Sequence, residues 1–181
     1  SGTVDMKFRY FVEVYLADYK VRLKPTAYPG KENIFRLHIT PYFGEMKLNK
    51  ITSTTVRQWQ TVMMANSKKF KKTYLKFINN QLSALFNYTC KNYGLPENPA
   101  KVCGSMGKSK ADKMKFWTLD EFKQFEEAIS DKIISKTIFN LLYWSGMRSG
   151  EMMALTLGDF NFKGQAVEIN KNYARLDRKD F

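Results

Sequence analysis

The chain has 181 residues, of which 30 are Lys or Arg and 17 are Asp or Glu, so that its formal net charge is +13. Apolar residues make up 44% of the chain, which is enough to bury the core of one domain or of two small ones and excludes a disordered polypeptide. No apolar run can span a bilayer or act as a secretory signal, and two cysteines make neither a disulfide framework nor a four-ligand zinc site. We therefore expect a reducing compartment, no membrane partner, no metal and no other cofactor.

The positive charge is concentrated in the first part of the chain. Residues 1–105 carry 17 basic and 6 acidic residues, whereas residues 106–181 carry 13 and 11. No acid lies between Glu45 and Glu97. Because such a tract repels itself unless a polyanion lies against it, and because each neutralised phosphate releases counterions, nucleic acid is the expected partner. A solvated, highly soluble surface is the alternative.

Two helices are predicted before residue 45. Apolar side chains recur at spacings of three and four over residues 8–23, which is the pattern of one amphipathic helix, and Pro25 ends it. Thr26 is predicted to cap a second helix that runs to about His38. Residues 41–44, with the sequence Pro-Tyr-Phe-Gly, are predicted to form a turn.

A short third helix and a long fourth helix follow. Thr52 or Ser53 is predicted to cap the third helix. Its apolar face is formed by Val56, Trp59 and Met63. The fourth helix covers about residues 70–93 and ends at Gly94. Its apolar stripe is formed by Tyr74, Ile78, Leu82, Leu85 and Thr89.

The opposite, polar stripe of the fourth helix is the main candidate for contact with DNA. It has neither an acid nor a large apolar side chain and consists of Lys72, Lys76, Asn79, Asn80, Ser83, Asn87 and Lys91. Lys reaches phosphates, and Asn pairs with adenine in the major groove. An ordinary solvated helix face is the alternative, although such faces usually mix the two signs of charge. The predicted DNA-contacting residues are Lys68, Lys69, Lys71, Lys72, Lys76, Asn79, Asn80, Ser83, Asn87, Lys108 and Lys110.

Residues 100–115 are predicted to form a basic linker between a first domain at residues 3–99 and a second at residues 116–181. Residues 104–110 read Gly-Ser-Met-Gly-Lys-Ser-Lys, which is small, flexible and basic. Such a linker either lies along a DNA groove or is a mere tether.

The second domain is predicted to begin with helices and to reach a β-hairpin. Thr118 and Glu121 are spaced as a capping box at the start of one helix. A second helix and a short third one, which follows Arg148, come next. After a turn, residues 166–169 are predicted to form a strand, with residues 172–175 as the candidate partner.

One motif in this second domain resembles that of a known family. Residues 145–155 read Ser-Gly-Met-Arg-Ser-Gly-Glu-Met-Met-Ala-Leu, and Asp159 follows. The stretch resembles the first active-site box of tyrosine recombinases, the phage integrase family, which reads Gly-x-Arg-x-x-Glu-hydrophobic, then Leu, then an acidic residue. Residues 73–88 look like the last helix of that family's core-binding domain. Together the resemblance covers nearly the whole chain and is closest to integrases of conjugative transposons and of temperate phages of Gram-positive bacteria.

This resemblance implies both a fold and a chemistry. The fold would be mainly α, with a four-helix SAM-like core-binding domain, a linker and the start of an α+β catalytic domain. In the family, a tyrosine attacks a DNA phosphodiester, forms a 3′-phosphotyrosyl link and releases a 5′-hydroxyl. The implied function is site-specific recombination or integration of a mobile element.

Arg148 and Glu151 are the catalytic residues that the resemblance implies. The planar guanidinium of Arg148 would hold two non-bridging phosphate oxygens with directed hydrogen bonds, which Lys cannot match. Glu151 would brace the hydrogen bonding of the active site. A surface Arg at a helix start and a simple charge at a helix N-terminus are the alternatives.

The rest of the family's catalytic set is not found in these residues. The resemblance implies a hairpin Lys, a His-x-x-Arg box, a His or Trp and a nucleophilic Tyr, all downstream of the first box. His38 heads no such box and is expected to be a surface or packing residue, and Tyr173 is expected to be a strand residue. Lys171 and Lys179 lie near the region of the hairpin Lys, and neither is assigned to it. Since the Ser1-Gly2 start is also typical of tag cleavage, we expect an N- and C-terminally truncated DNA-binding fragment that is inactive alone.

Three functions compete at this point. The first is a recombinase, and the second is a sequence-specific DNA-binding regulator or accessory factor that never cuts. RNA binding is the third and is weaker, because the aromatic residues fall mostly on apolar helix faces. As a recombinase, the protein would bind double-stranded DNA in the bacterial cytoplasm, associated with the nucleoid. The family resemblance implies a tetramer on two paired DNA sites.

Overall fold

The computed structural model describes residues 3–22, 24–65, 70–108, 113, 115–176 and 179–180. They divide into two compact units, Ser1–Lys113 and Met114–Phe181. Both units begin with helices, and short strands occur only in the second unit among the described residues.

The first unit is helical throughout its described secondary structure. After a 3-10 turn at Thr3–Asp5, its elements are α1 (Phe8–Arg22), α2 (Tyr28–Ile34), a π-helical segment (Phe35–Ile39), α3 (Thr40–Phe43), a 3-10 turn (Leu48–Lys50), α4 (Ser53–Ala65), α5 (Lys72–Tyr93) and α6 (Pro99–Cys103). Aromatic rings fill the centre of its core. The largest fully buried side chains include Trp59, Tyr15, Phe8, Phe11, Phe35, Phe43 and Phe86.

The predicted helices α1, α4 and α5 are confirmed. Leu23, which the pattern placed at the end of α1, lies outside the described residues. Thr52 caps α4, since its Oγ1 accepts a hydrogen bond from the Thr55 backbone N–H at 3.2 Å. Gly94 ends α5 in the left-handed conformation, with φ +72°, which glycine adopts without steric cost.

The turn predicted at residues 41–44 is wrong, because the chain stays helical there as α3. The preceding segment is π-helical, and the Thr40 N–H donates to the Phe35 carbonyl five residues earlier. Pro41 lacks an N–H, and its ring would strain a regular helix at this point. A wider turn immediately before Pro41 accommodates it, so that the helix continues to Phe43.

The linker predicted from residue 100 does not begin there. Pro99–Cys103 form α6, and Ala100, Cys103 and Met106 are buried in the core of the first unit. The described residues up to 108 therefore belong to that unit. Asn98 starts α6 by accepting hydrogen bonds from the backbone N–H groups of Ala100 and Lys101.

The second unit contains helices followed by two short hairpins. Its elements are α7 (Leu119–Ala128), α8 (Ile133–Ser145), α9 (Ser149–Met153), a 3-10 turn (Leu157–Asp159), β1 (Phe160–Asn161), β2 (Ala166–Val167), β3 (Arg175–Leu176) and β4 (Lys179–Asp180). The capping box that starts α7 is confirmed. The Glu121 N–H donates to Thr118 Oγ1 at 3.3 Å, and the Thr118 N–H donates to Glu121 Oε2 at 2.8 Å.

The strand pairing in this unit differs from the prediction. Strand β2 pairs with β1, in antiparallel register with Phe160 opposite Val167, and not with residues 172–175. The connecting turn is tight, because the Gly164 N–H donates to Asn161 Oδ1 at 2.8 Å. This turn folds the chain back on itself, so that β2 lies beside β1, the strand that directly precedes it. Strand β3 pairs instead with β4.

The described part of the second unit has a small core. Phe122 and Met147 are its buried apolar side chains among the described residues, and the Phe122 ring stacks on Tyr143 with 3.7 Å between ring centroids. Its exposed large apolar side chains include Phe116, Ile133, Ile134, Trp144, Leu157 and Phe162. Neither unit, in the parts that the structure describes, contains a helix long and apolar enough to cross a membrane.

Candidate functional site

The start of α5 carries a group of exposed cations. Lys71 occupies the N-cap position and Lys72 the first turn, and both are exposed, whereas Lys76 is half-buried. Among the described residues, no acid forms an ion pair with any of these three lysines. The acids of the first unit that do form ion pairs bind other cations. Glu45, for example, pairs with Lys7 and Arg9. The lysines of α5 thus keep their charge available for an external anion.

The chain after α6 adds a further lysine beside this group. The Lys108 backbone N–H donates to the Lys72 carbonyl at 3.1 Å. Gly107 has φ +80°, and a Cβ atom there would lie 2.1 Å from the Lys72 carbonyl oxygen. Only glycine permits this close approach, so Gly107 fixes the backbone of Lys108 against the first turn of α5. Lys68, Lys69 and Lys110, also predicted to contact DNA, lie outside the described residues.

Asn79 does not belong to the exposed stripe, contrary to the prediction. It is only 2% exposed. Its Oδ1 accepts a hydrogen bond from Gln60 Nε2 at 2.9 Å, and its Nδ2 donates to Ser105 Oγ at 3.4 Å. Residues 103–106 cover this side of α5, which is why a position on the polar side of the helix is buried. Gln60 could have indicated that Asn79 is buried, because a polar residue on the apolar face of α4 requires a buried hydrogen-bond partner.

The other polar residues of the stripe fall into two groups. Asn80 and Lys91 are exposed and, like Lys72 and Lys76, form no ion pair with an acid among the described residues. Ser83 and Asn87 instead contact Asn98. The Asn98 Nδ2 donates to the Ser83 carbonyl at 2.9 Å and to Asn87 Oδ1 at 2.8 Å. Sequence reasoning missed Asn98, although Asn before Pro99 is a recognisable helix-start signal.

Arg148 lies between two helices of the second unit. Gly146 ends α8 with φ +67°, Met147 is buried, and Arg148 takes an extended conformation as the N-cap of α9. Its side chain is 85% exposed. This places a guanidinium in solvent while the backbone on both sides of it is held by helices.

Glu151 fixes both ends of Arg148. Its Oε2 accepts from the Arg148 backbone N–H at 2.7 Å, and its Oε1 accepts from Arg148 Nη1 at 2.9 Å. The backbone N–H of Arg148, followed by its side chain, holds the pKa of Glu151 below its usual range. Glu151 is therefore an ionised carboxylate that orients the guanidinium.

The segment after β2 supports this arrangement. The Tyr173 N–H donates to the Gly150 carbonyl at 2.8 Å. A Cβ atom on Gly150 would lie 2.4 Å from Asn172 Oδ1 and 3.0 Å from the Tyr173 carbonyl oxygen. Residues 172–173 thus pack directly on the first turn of α9, next to Arg148.

Asp159, the acidic residue that follows the box, is bound within the unit. Lys171 Nζ lies 2.8 Å from Asp159 Oδ2, and the Thr156 N–H donates to the same oxygen at 2.6 Å. These bonds, with that of Lys171 first, lower the pKa of Asp159 to about 2. Lys171 is consequently engaged in a local ion pair, and Lys179 falls in β4.

His38 packs within the first unit. Its Nε2 lies 3.0 Å from the Tyr74 hydroxyl, its carbonyl accepts from the Trp59 indole at 3.2 Å, and its ring packs edge-on against Phe70. These contacts agree with the expected packing role. Over the described residues, no cluster of His, Cys, Asp and Glu is suited to a metal ion.

Comparison with known proteins gives one matching family model and several relatives. Residues 7–64 match the model of the phage integrase N-terminal SAM-like domain. The chain is 28% identical to the ICEBs1 integrase of Bacillus subtilis over 173 residues. These residues make up 95% of this chain and 46% of that protein. The chain is 24% identical over 155 residues to a XerC-like tyrosine recombinase of Caldanaerobacter subterraneus, which covers 82% of this chain and 39% of that protein. The chain thus spans less than half the length of these curated relatives.

Two solved structures have a similar fold. One is a lambda integrase dimer bound to a COC′ core site, with a TM-score of 0.73, 17% identity and coverage of 87% of this chain and 56% of that one. The other is the Tn1549 transposon integrase in complex with circular intermediate DNA, with a TM-score of 0.73, 16% identity and coverage of 90% and 54%. At these identities the likeness concerns the fold.

Proposed function

We propose that this chain, a relative of the tyrosine recombinases of the phage integrase family, is the part of a site-specific DNA recombinase that binds DNA and supplies its first catalytic arginine. The observation that carries this proposal is the geometry of Arg148, an exposed guanidinium that Glu151 holds at both ends. It lies in a Gly-Met-Arg-Ser-Gly-Glu sequence.

The reaction proposed for the whole enzyme is a transfer of a DNA phosphodiester to tyrosine. The tyrosine hydroxyl loses its proton as its oxygen bonds to phosphorus, the bond from phosphorus to the 5′ oxygen breaks, and the 5′ oxygen gains a proton, so that no net proton is consumed. The products are a 3′-phosphotyrosyl link and a 5′-hydroxyl, and the reverse reaction rejoins strands. Arg148 would donate hydrogen bonds to the non-bridging oxygens, where negative charge increases in the transition state.

DNA binding by the first unit is supported by the cations of α5. Lys71, Lys72 and Lys76 have no acidic partner among the described residues, and Lys108 is held beside the same helix turn. Of the two similar structures, the lambda integrase dimer is bound to a COC′ core site and the Tn1549 integrase is in complex with circular intermediate DNA. We therefore propose double-stranded DNA as the partner, integration of a mobile element as the biological role, and the bacterial cytoplasm with its nucleoid as the location. Assembly as a tetramer on paired sites is proposed for the whole enzyme.

The test of DNA binding is a salt titration. Binding of the chain to a short random-sequence DNA duplex is measured by fluorescence anisotropy at several salt concentrations, for the wild type and for a Lys72→Ala/Lys76→Ala variant. Each lost phosphate contact should flatten the log–log slope by about one unit. A Lys20→Ala/Lys24→Ala variant has the same loss of charge outside the α5 stripe and should keep the wild-type slope.

If both variants change the slope equally, the α5 lysines have no special role and the binding reflects net charge alone. If the wild-type chain does not bind the duplex at low salt, the proposed function itself is wrong.

A further inference from the structure

Asn98 connects α5 to the start of α6 with a buried side chain. It is 6% exposed and lies immediately before Pro99. Its amide makes hydrogen bonds in two directions, toward the backbone of α6 and toward α5. Since an amide has a distinct acceptor and donor end, the chemistry of its neighbours determines which end faces which helix.

The oxygen of Asn98 must face α6. The backbone N–H groups of Ala100 and Lys101 lie 2.9 and 3.0 Å from it, and a backbone N–H can only donate. The nitrogen of Asn98 therefore faces α5. This agrees with the Ser83 carbonyl, an obligatory acceptor, at 2.9 Å from that nitrogen.

The orientation of Asn98 fixes that of Asn87 in turn. The Asn98 nitrogen lies 2.8 Å from the side-chain oxygen of Asn87. With the opposite orientation of the Asn87 amide, two NH₂ groups would face each other without an acceptor. Asn87 therefore keeps its oxygen on Asn98 and directs its NH₂ group away from it, and Asn87 is an exposed residue.

We infer that Asn98 is a positioning residue that makes Asn87 a hydrogen-bond donor to an acceptor on duplex DNA, either a phosphate oxygen or an acceptor atom on a base edge. This inference rests on the proposed function of α5 in DNA binding. It makes bidentate pairing of Asn87 with adenine the less favourable role, because that pairing needs the amide oxygen, which already accepts a hydrogen bond from Asn98, together with the nitrogen.

The surroundings of Asn87 favour an anionic or electron-rich ligand. Lys91, one turn further along α5, lines the same open groove of about 510 Å³ between α1 and α5. Arg22 and Asp18 line it from α1 and form an ion pair with each other, so that Lys91 gives the groove its surplus positive charge. Asn80 lies on the same side of α5 as Asn87 but has no hydrogen bond to Asn98, so it provides a matched control.

The test is a double-mutant cycle on DNA affinity. Asn98→Ser keeps a side-chain oxygen for the N-cap of α6 but removes the NH₂ group that holds Asn87. Affinity for a short random-sequence duplex is measured for the wild type, Asn98→Ser, Asn87→Ala and the double variant. We expect Asn87→Ala to weaken binding about 3-fold to 10-fold, the usual value of one hydrogen bond. Asn98→Ser should weaken binding when Asn87 is present but should cause no additional loss in the Asn87→Ala background.

The control cycle pairs Asn98→Ser with Asn80→Ala, and we expect additive effects there. If Asn98 only supports the fold of α6, its substitution weakens binding equally with and without Asn87, and this result would overturn the inference. Asn98→Thr is the second variant, used if Asn98→Ser lowers the melting temperature. It also keeps a side-chain oxygen for the cap and lacks the NH₂ group that holds Asn87, so that the Asn87→Ala substitution should again have no further effect.

A panel of duplexes with different sequences distinguishes the two acceptors. Equal losses for Asn87→Ala on all duplexes indicate a phosphate oxygen, and losses confined to some sequences indicate a base edge. If the wild type binds DNA and Asn87→Ala binds it equally well on every duplex, this inference fails while the proposed function stands. If the wild type does not bind, both fail.

Discussion

A Cβ atom on Gly150 would lie 2.4 Å from Oδ1 of Asn172, a distance too short for a carbon and an oxygen atom that are not bonded to each other. The Asn172 side chain could rotate away, but the Tyr173 carbonyl oxygen, 3.0 Å from the same Cβ atom, belongs to the backbone, so that a side chain at residue 150 would press on residues 172–173. The Tyr173 N–H bond to the Gly150 carbonyl, at 2.8 Å, depends on the same approach.

We predict that Gly150→Ala separates residues 172–173 from α9. Amide hydrogen exchange of Tyr173, measured by NMR, should become at least about tenfold faster, which corresponds to ~1.4 kcal/mol of local opening free energy. Gly158→Ala is the control, since a Cβ atom there meets nothing within 4 Å. Unchanged exchange in Gly150→Ala would show that the close contact does not constrain α9.

A second pair of glycines tests how Lys108 is held. Gly107 and Gly94 both have a positive φ, +80° and +72°, but a Cβ atom on Gly94 meets nothing within 4 Å, whereas one on Gly107 lies 2.1 Å from Lys72 O. Both alanine variants incur the strain of a positive φ, about 1 kcal/mol or more. We expect Gly107→Ala to lower the melting temperature further and to reduce DNA affinity. Equal effects of the two substitutions would mean that the position of Lys108 does not depend on this contact.

Lys31 should make the free energy of unfolding of the first unit depend on pH. Its Nζ lies 4.8 and 4.4 Å from the ring centroids of Tyr15 and Tyr19 and donates to Gln81 Oε1 at 3.0 Å. Burial lowers the pKa of Lys31 to about 8. Because the folded state then binds fewer protons than the unfolded state above that pH, the free energy of unfolding should increase as the pH rises from about 8 toward the unfolded pKa of Lys, about 10.4.

Chemical denaturation between pH 7.5 and 9.5 measures this effect, and Lys31→Met should remove it. The pH range stays below 10 because burial raises the pKa of Tyr15 and of Tyr88, so that their ionisation destabilises the fold at higher pH. If the profile of the wild type is as flat as that of Lys31→Met, the attraction between the ammonium and the two rings offsets the effect of burial.

The chain by itself should bind DNA without forming a covalent complex. Its tyrosines do not occur in the context of the family's nucleophile, and Tyr173 donates its backbone N–H to Gly150. A nicked suicide substrate, denaturing electrophoresis and peptide mapping provide the measurement. An adduct on any tyrosine of residues 1–181 would contradict the prediction that this part of the protein is inactive alone.

The helices of both units could be predicted because each carries its own signals. Apolar spacing gave α1, α4 and α5, and the Thr118 capping box gave the start of α7. These signals are local, so that they require no knowledge of how helices pack.

Asn79 shows what such patterns do not contain. It lies on the polar side of α5 but is buried, because a segment more than twenty residues later covers it. Local periodicity describes one helix against solvent and does not include a later segment that packs on its second side. The same limit applies to residues 100–108, whose small and basic composition concealed a packed helix.

The predictions of the strand pairing and of a turn at Pro41 were wrong for a related reason. Pairing of β2 with β1 depends on the tight turn between Asn161 and Gly164, which a strand propensity does not specify. The helix continues through Pro41 because a π-helical turn precedes it, and this is a property of the folded backbone. The motif selects Arg148 and Glu151 as candidates, and the structure adds the two hydrogen bonds that join them.

The most direct test of the central claim compares binding and cleavage for Arg148→Lys in the full-length protein. Lys keeps the positive charge, so that DNA affinity should stay within about twofold, but it loses the two-point hydrogen bonding to the phosphate. Single-turnover cleavage of a suicide substrate should fall about 10²-fold to 10³-fold, as for the loss of a preorganised transition-state donor. If cleavage instead falls only in proportion to affinity, Arg148 is not the phosphate-binding arginine and the proposed active site is wrong.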